Sequence, residues 1–236
     1  MKKTINLWGW GICVFVILFG INAAQADPIV KKTRSVEKFT GIKVGGAFNV
    51  ILKQGDSYKL VVEAEEDLHD DIRTRVKGDV LHIDLDWDWS WKDHEKITIY
   101  IDFVDLNYLN VSGAADVTAQ SSIKTGEMEL EVSGAGDLDL ELFARSLDVE
   151  VSGAADLKLS GSTEEQQVRL SGAGDYKAAD LKSKVTNAKA SGAGTVIVYA
   201  SEEIEAYASG AGSVRFYGDP PKQKTSSSGA GSVRKR

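Results

Sequence analysis

A short motif of small residues recurs seven times in the chain, and no other feature restricts the fold as strongly. The motif reads Ser-Gly-Ala-Gly or Ser-Gly-Ala-Ala, and its serines are 21, 19, 19, 20, 18 and 19 residues apart. The copies begin at Ser112, Ser133, Ser152, Ser171, Ser191, Ser209 and Ser228. A unit this short cannot bury its own apolar face, so the copies must stack on one another. The repeat therefore predicts a solenoid.

The residues that flank each motif decide between helix and strand. Leu147, Val149 and Val151 alternate with Asp148 and Glu150 before one copy, and a period of two is typical of half-buried strands. We therefore predict an all-β fold, a single-stranded right-handed parallel β-helix with coils of about 19 residues. Like strands of successive coils should lie about 4.8 Å apart.

The glycines of the motif indicate a tight corner between two strands of each coil. Gly113 and its equivalents are expected to adopt positive φ, which a sharp bend needs and which glycine adopts without steric cost. Alanine and serine beside them are small enough to stack from coil to coil.

The N-terminal third departs from the repeat. Residues 44–50 are a degenerate first copy of residues 111–117. We predict a hairpin of strands 48–53 and 58–64, a short helix at 65–73, and strands near 80–91 and 96–103. Because a solenoid needs its open end covered, residues 27–110 are interpreted as an atypical cap with the first strands, in one structural domain with the coils of residues 111–236.

The first residues indicate export. Lys2 and Lys3 precede an apolar run at 8–21, and Ala24-Gln25-Ala26 has the form of a signal-peptidase site. Residues 1–26 are therefore predicted to be a signal peptide, with no membrane span after its cleavage. An uncleaved anchor is the alternative, although the run is short for a span, which needs roughly 20 apolar residues. The protein should be periplasmic, outer-membrane-associated or extracellular in a bacterium.

Composition excludes several classes of function. A net charge of −7 argues against a nucleic-acid partner, which selects basic surfaces. A single cysteine excludes an internal disulfide framework and a cysteine-based metal centre. No nucleophile elbow, zinc-protease motif or phosphate loop occurs. We therefore predict no catalytic residues and a protein that is not an enzyme.

The order of short motifs resembles a known family. The stretches FTGIKV at 39–44, FNV at 48–50 and QGD at 54–56 precede the tandem repeats, and YGDP at 217–220 precedes the last one. This arrangement, over residues 35–233, is similar to the auto-transporter adhesin, head GIN domain family. The resemblance implies a secreted or surface-exposed bacterial β-helical domain with a role in adhesion or scaffolding, and it brings no catalytic residues. Nothing in the chain indicates a translocator barrel.

Two clusters of side chains are candidate sites. The residue after each of the first four motifs is acidic, namely Asp116, Asp137, Asp156 and Asp175. Stacked in register these carboxylates would repel one another, and calcium would relieve the repulsion. The competing and favoured interpretation is that each aspartate accepts hydrogen bonds from nearby turn N–H groups. No other cofactor is expected.

The second cluster is a strip of alternating tryptophan and aspartate. As a strand, it would place three tryptophans on one face and three acids on the other, comprising Trp87, Trp89 and Trp91 with Asp84, Asp86 and Asp88. Exposed tryptophans would form a stacking platform for sugar rings, whereas buried ones would simply fill the cap. Both interpretations stay open from the sequence.

The sequence thus predicts a non-catalytic, adhesin-like or scaffolding module of the cell envelope whose partner is a glycan or a surface protein. Two alternatives remain. One is a carbohydrate-active enzyme on the same scaffold, and the other is a subunit that assembles into homo-oligomers or surface fibres through an uncovered last coil.

Overall fold

The computed structural model describes residues 28–86 and 96–236. This part of the chain contains nineteen β-strands and one turn of 3-10 helix at Glu66–Asp70. The strands before the repeats are β1 Ile29–Arg34, β2 Gly41–Gly45, β3 Phe48–Gln54, β4 Lys59–Glu65, β5 Ile72–Lys77, β6 Val80–Leu85 and β7 Ile97–Phe103. The first repeat strands are β8 Tyr108–Val111, β9 Asp116–Ala119, β10 Ile123–Lys124, β11 Glu127–Val132, β12 Leu138–Val151 and β13 Leu157–Leu170. The remaining strands are β14 Asp175–Ala190, β15 Thr195–Tyr199, β16 Glu203–Ala208, β17 Ser213–Tyr217, β18 Lys222–Ser227 and β19 Ser232–Lys235.

The repeats wind into a β-solenoid of about seven turns, as the motif spacing predicts. Leu138 of β12 pairs in parallel with Leu157 of β13, which pairs with Tyr176 of β14, so that one coil separates consecutive partners. Apolar side chains alternate inward along every coil and form one continuous core from Phe39 to Phe216.

A buried hydrogen-bond network interrupts this apolar core. The fully buried Tyr176 hydroxyl donates to Gln166 Oε1 at 2.6 Å, and Gln166 Nε2 donates to Ser183 Oγ at 2.9 Å. Burial raises the pKa of Tyr176, so its phenol stays protonated and remains a donor. Because each of these polar groups has a partner, the network is compatible with the dry interior.

Backbone hydrogen bonds continue around the Ser-Gly-Ala corners, which lie on top of one another. The Ala135 N–H donates to the Gly113 carbonyl at 3.0 Å, and the Ala154 N–H donates to the Gly134 carbonyl at 3.0 Å. A methyl group on Gly134 would lie 1.7 Å from the Gly113 carbonyl oxygen. Glycine is required here because neighbouring backbones approach too closely to admit a Cβ atom.

The expectation of positive φ at these corners is wrong for most of them. Gly210 and Gly229, in the last two corners, have positive φ, whereas the glycines of the five earlier corners do not: Gly113, Gly134, Gly153, Gly172 and Gly192. In those five corners a Cβ would meet the preceding coil at 2.1 Å or less. The contact between coils, rather than the bend within one coil, selects glycine.

The spatial order of the coils differs from the chain order at the N-terminal end. β2 lies between β6 and β8, and β3 lies between β7 and β9, all in parallel. The coil formed by β2 and β3 is therefore enclosed between a later coil on one side and the first repeat coil on the other. Val44 pairs with Val111 and Asn49 with Asp116, which confirms residues 44–50 as a first copy.

Antiparallel strands extend the sheets at this end of the solenoid. β4 pairs with β7, β1 pairs with β4, and β5 pairs with β6. The predicted hairpin of β3 and β4 is wrong, because β7 lies between those two strands. The predicted helix is shortened to the single 3-10 turn, since Ile72 already begins β5. The predicted strand at 80–91 ends at Leu85, and its last part lies outside the described residues.

At the opposite end of the solenoid, polar residues take the inward positions of the last coil. β18 places Gln223, Thr225 and Ser227 beside Ile204, Ala206 and Ala208 of β16. Polar residues thus replace the inward apolar ones in the terminal coil, as solubility of a solenoid end requires.

Within residues 28–86 and 96–236, each strand at the two ends pairs with a single neighbour, and each is basic. The four edge strands β1, β5, β18 and β19 together contain ten Lys or Arg residues and no acid. Lysine and arginine on an edge strand oppose the addition of another chain through repulsion and desolvation. Stacking of a further copy on either end would therefore bring two basic edges together.

We predict that Gly134→Ala destabilises the solenoid by at least about 2 kcal/mol, because the new methyl group must displace the Gly113 backbone. Thermal or urea unfolding followed by circular dichroism measures the change. Gly126→Ala is the matched control, since nothing lies within 4 Å of the added Cβ and Gly126 does not have positive φ. Equal stability of the two variants would contradict the role assigned to the corner.

Candidate functional site: a polar groove across the coils

The four predicted aspartates form a line along the solenoid, each directly above the last. The Asp156 N–H donates to Asp137 Oδ1 at 3.3 Å, and the Asp175 N–H donates to Asp156 Oδ1 at 3.0 Å. The same bond joins the Asp137 N–H to Asp116 Oδ1 at 3.4 Å and the Thr195 N–H to Asp175 Oδ1 at 3.0 Å. Each carboxylate therefore binds the backbone of the next coil, as the favoured interpretation requires, although the donor belongs to the neighbouring coil and not to its own turn.

Lysines reduce the repulsion along this aspartate line. Lys96 Nζ lies 2.6 Å from Asp116 Oδ2, and Lys177 Nζ lies 2.8 Å from Asp156 Oδ2. The hydrogen bonds from these lysines hold the pKa values of Asp116 and Asp156 below the ordinary value of 3.8. Across the described ranges, no three acidic, histidine or cysteine side chains converge as a metal site would require.

We predict that Asp156→Ala destabilises the protein by about 1 kcal/mol at neutral pH, the usual contribution of one such hydrogen bond. The pKa of Asp156 is lowered in the folded state, so its contribution is complete above about pH 4 and is lost as the pH falls through the folded-state pKa. The difference in stability between wild type and variant should shrink in the same range. Urea unfolding at several pH values measures it.

Asp139→Ala is the control for this experiment. Asp139 is also about half exposed and also pairs with a lysine, since Lys158 Nζ lies 2.9 Å from its Oδ2. Its carboxylate forms no backbone hydrogen bond within the described part of the chain, so the change should cost no more than about 0.5 kcal/mol.

Melting with and without a chelator tests the calcium hypothesis for the aspartate line. A lower melting temperature on chelation would contradict the interpretation that the aspartates bind only backbone N–H groups and lysines.

The second predicted cluster is only partly within the described residues. Trp87, Trp89, Trp91 and Asp88 lie outside them. Asp84 and Asp86 form ion pairs with Arg75 and Arg73 of β5, the first at 2.8 Å. Both described acids are thus engaged with the cap.

A groove of about 660 Å³ crosses five coils on the sheet that contains β8, β11 and the second halves of β12, β13 and β14. Outward side chains of equivalent positions line it in register, namely Tyr108, Glu129, Asp148, Gln167 and Asn187. A parallel row contains Glu127, Ser146 and Glu165. Donors and acceptors therefore recur about every 4.8 Å along the solenoid axis.

Hydrogen bonds between coils orient the groove side chains before any ligand binds. Glu131, beside the groove, accepts hydrogen bonds from the Tyr108 hydroxyl at 2.8 Å and from Asn110 Nδ2 at 2.6 Å. Asp148 accepts one from Gln167 Nε2 at 2.7 Å and another from Arg169 at 2.9 Å. These pairs lower the entropy that the side chains would lose on binding.

The groove is electrostatically negative at its N-terminal half. Burial, followed by the charges of Glu131 and Asp148, raises the pKa of Glu129. The hydrogen bonds from Tyr108 and Asn110 lower the pKa of Glu131. Burial and the bond to Glu131 raise the pKa of Tyr108 to about 12, so its hydroxyl remains a donor. The surface can thus offer hydrogen bonds of both senses to a polar chain.

Sequence reasoning missed this groove, because alternating polar residues indicate a solvated outer face. A usable signal was present in the change from charged residues to amides and tyrosine at equivalent outward positions, as at Tyr108, Gln167 and Asn187. The shape of the surface is not encoded at any one position.

Helices long and apolar enough to span a membrane do not occur in residues 28–86 and 96–236. The family model "Putative auto-transporter adhesin, head GIN domain" matches residues 38–220. The chain belongs to this family, which confirms the resemblance of the sequence motifs. No curated protein matches the sequence at a significant level.

Several solved structures have the same fold. A "putative adhesin" from Bacteroides fragilis superposes with a TM-score of 0.86 at 24% identity, over 89% of this chain and 97% of the other. A "putative lipid binding protein" from Parabacteroides distasonis has a TM-score of 0.70 at 21% identity, over 88% and 96%. A "putative adhesin" from Parabacteroides merdae has a TM-score of 0.63 at 19% identity, also over 88% and 96%.

Proposed function

We propose that this protein is an exported, non-catalytic binding module of the bacterial cell envelope that holds a polar polymer, in the first place a glycan, in the groove across its coils. The observation that carries the proposal is the registered row from Tyr108 to Asn187, which repeats hydrogen-bonding groups along an open groove. A chain of repeating polar units can satisfy such a row at successive positions. Membership of an adhesin family supports the same class of function.

The geometry favours binding over catalysis. Asp148 is held by Gln167 and Arg169, and Glu131 is held by Tyr108 and Asn110. Carboxylates engaged in this way hold neighbouring donor side chains in place, which supports a binding role. Release of soluble sugars from a bound polysaccharide would contradict the non-catalytic assignment.

We predict that Ser146→Arg abolishes binding on an array of neutral and charged oligosaccharides, or weakens it at least about tenfold, because a long side chain fills the middle of the groove. Ser146 lies between Glu127 and Glu165, so the arginine has acidic neighbours and the fold should tolerate it. Binding to immobilised surface proteins, measured in parallel, identifies a protein partner if the glycans fail.

Ser160→Arg is the matched control for the groove variant. Ser160 is an outward serine of β13 that also lies between two acids, Glu141 and Asp180, but does not line the groove. This variant should bind as the wild type does. Loss of binding in both variants, or in neither, would contradict the assignment of the groove.

The tryptophan strip remains a second proposed contact with a glycan. Replacing Trp87, Trp89 and Trp91 together by alanine should weaken sugar binding at least about tenfold if their rings stack on the ligand. A melting curve of the variant separates this effect from loss of cap packing. Unchanged binding on the same array would exclude the tryptophans from the site.

A further inference from the structure

The last three coils carry a surface of different character on the strands that follow their Ser-Gly-Ala corners. Its central row consists of Ile197, Arg215 and Arg234, paired in register on β15, β17 and β19. Tyr199 and Tyr217 pair beside this row, and Tyr217 is 40% exposed. We call the surface formed by these five residues the cationic face.

Earlier coils neutralise the equivalent cations, whereas these coils do not. Lys158 pairs with Asp139, and Lys177 pairs with Asp156. In the last three coils the aspartate line continues as Thr195, Ser213 and Ser232. No acid within the described residues lies at ion-pair distance from Arg215 or Arg234.

Arg215 and Arg234 occupy directly paired positions, so their guanidinium groups repel each other unless an anion lies beside them. In the neighbouring row the Ser213 hydroxyl donates to Thr195 Oγ1 at 3.3 Å, so the hydroxyls of Thr195 and Ser232 supply the hydrogen-bond donors. Lys182 Nζ lies 4.1 Å from the centre of the Tyr199 ring and contributes a further positive charge at the border. Together these groups match phosphate oxygens.

Charge is distributed very unevenly along the molecule. Residues 213–236 contain six Lys or Arg residues and one acid, whereas the rest of the chain contains 22 and 34. An anionic surface therefore attracts this end and repels the remainder, which orients the solenoid.

We propose that the cationic face docks the protein on an anionic phospholipid surface. Outward side chains of three adjacent parallel strands form a flat array, which fits an extended surface better than a single small anion. Tyrosine favours the interface between water and lipid, where its ring and its hydroxyl are both accommodated. Paired arginines beside the tyrosines would contact the phosphate groups.

Co-sedimentation with vesicles tests the proposal. The protein and each variant are purified by the same procedure. Each is mixed with vesicles of phosphatidylcholine alone and, separately, with vesicles that also contain phosphatidylglycerol. Binding should require the anionic lipid and weaken as salt is raised. The double variant R215Q/R234Q should partition at least about tenfold less.

R73Q/R75Q is the matched control, because it removes the same charge from exposed arginines at the opposite end. It should change partitioning by no more than about twofold. Equal losses in both variants, or equal binding to both kinds of vesicle, would overturn the proposal. Binding to soluble heparin without binding to anionic vesicles would also overturn it and would indicate a polyanion instead.

The groove variant S146R separates this inference from the proposed function. Its vesicle binding should equal that of the wild type even where its glycan binding is lost. R215Q/R234Q should in turn retain glycan binding, so that either proposal can fail while the other stands.

Discussion

The close approach of backbone to backbone at the glycine corners is the contact on which the whole molecule depends. The Gly113 carbonyl accepts the Ala135 N–H at 3.0 Å, and the same bond recurs at successive corners. This bond sets the spacing of the coils along the solenoid axis and keeps successive corners stacked on one another. Without it the strands on either side could slip, and inward residues would lose their register with the core.

The register that aligns the core also aligns the outer surface, and this is how a repeated chain acquires distinct sites. The aspartate line, the groove row that begins at Tyr108 and the row that contains Arg215 and Arg234 are all products of one stacking geometry. Each differs only in which side chains occupy equivalent positions. A solenoid can therefore change its surface chemistry from one coil to the next while the packing of its core stays the same.

Prediction from the sequence succeeded for features that depend on a local, repeated pattern of residues. Alternation identified the strands, and spacing identified the coils. The role of the corner glycines was misassigned, because a sequence shows a small residue but not the neighbouring backbone that excludes a larger one, as Gly113 does for Gly134. The β3–β4 hairpin was misassigned because strand 97–103 inserts between two strands that are adjacent in sequence. Of the candidate sites, the aspartates could be located from their spacing, whereas the groove could not.

The sequence by itself determined the solenoid, its period and the identity of its corners, because these follow from local patterns that repeat. Only the tertiary structure decided which coil lies beside which at the N-terminal end, where the coil of β2 and β3 is enclosed between β6–β7 and β8–β9. It also decided where outward side chains enclose a groove, and that Arg215 and Arg234 have no acid at ion-pair distance within the described residues. Those properties depend on distances between residues far apart in the chain, which no local pattern specifies.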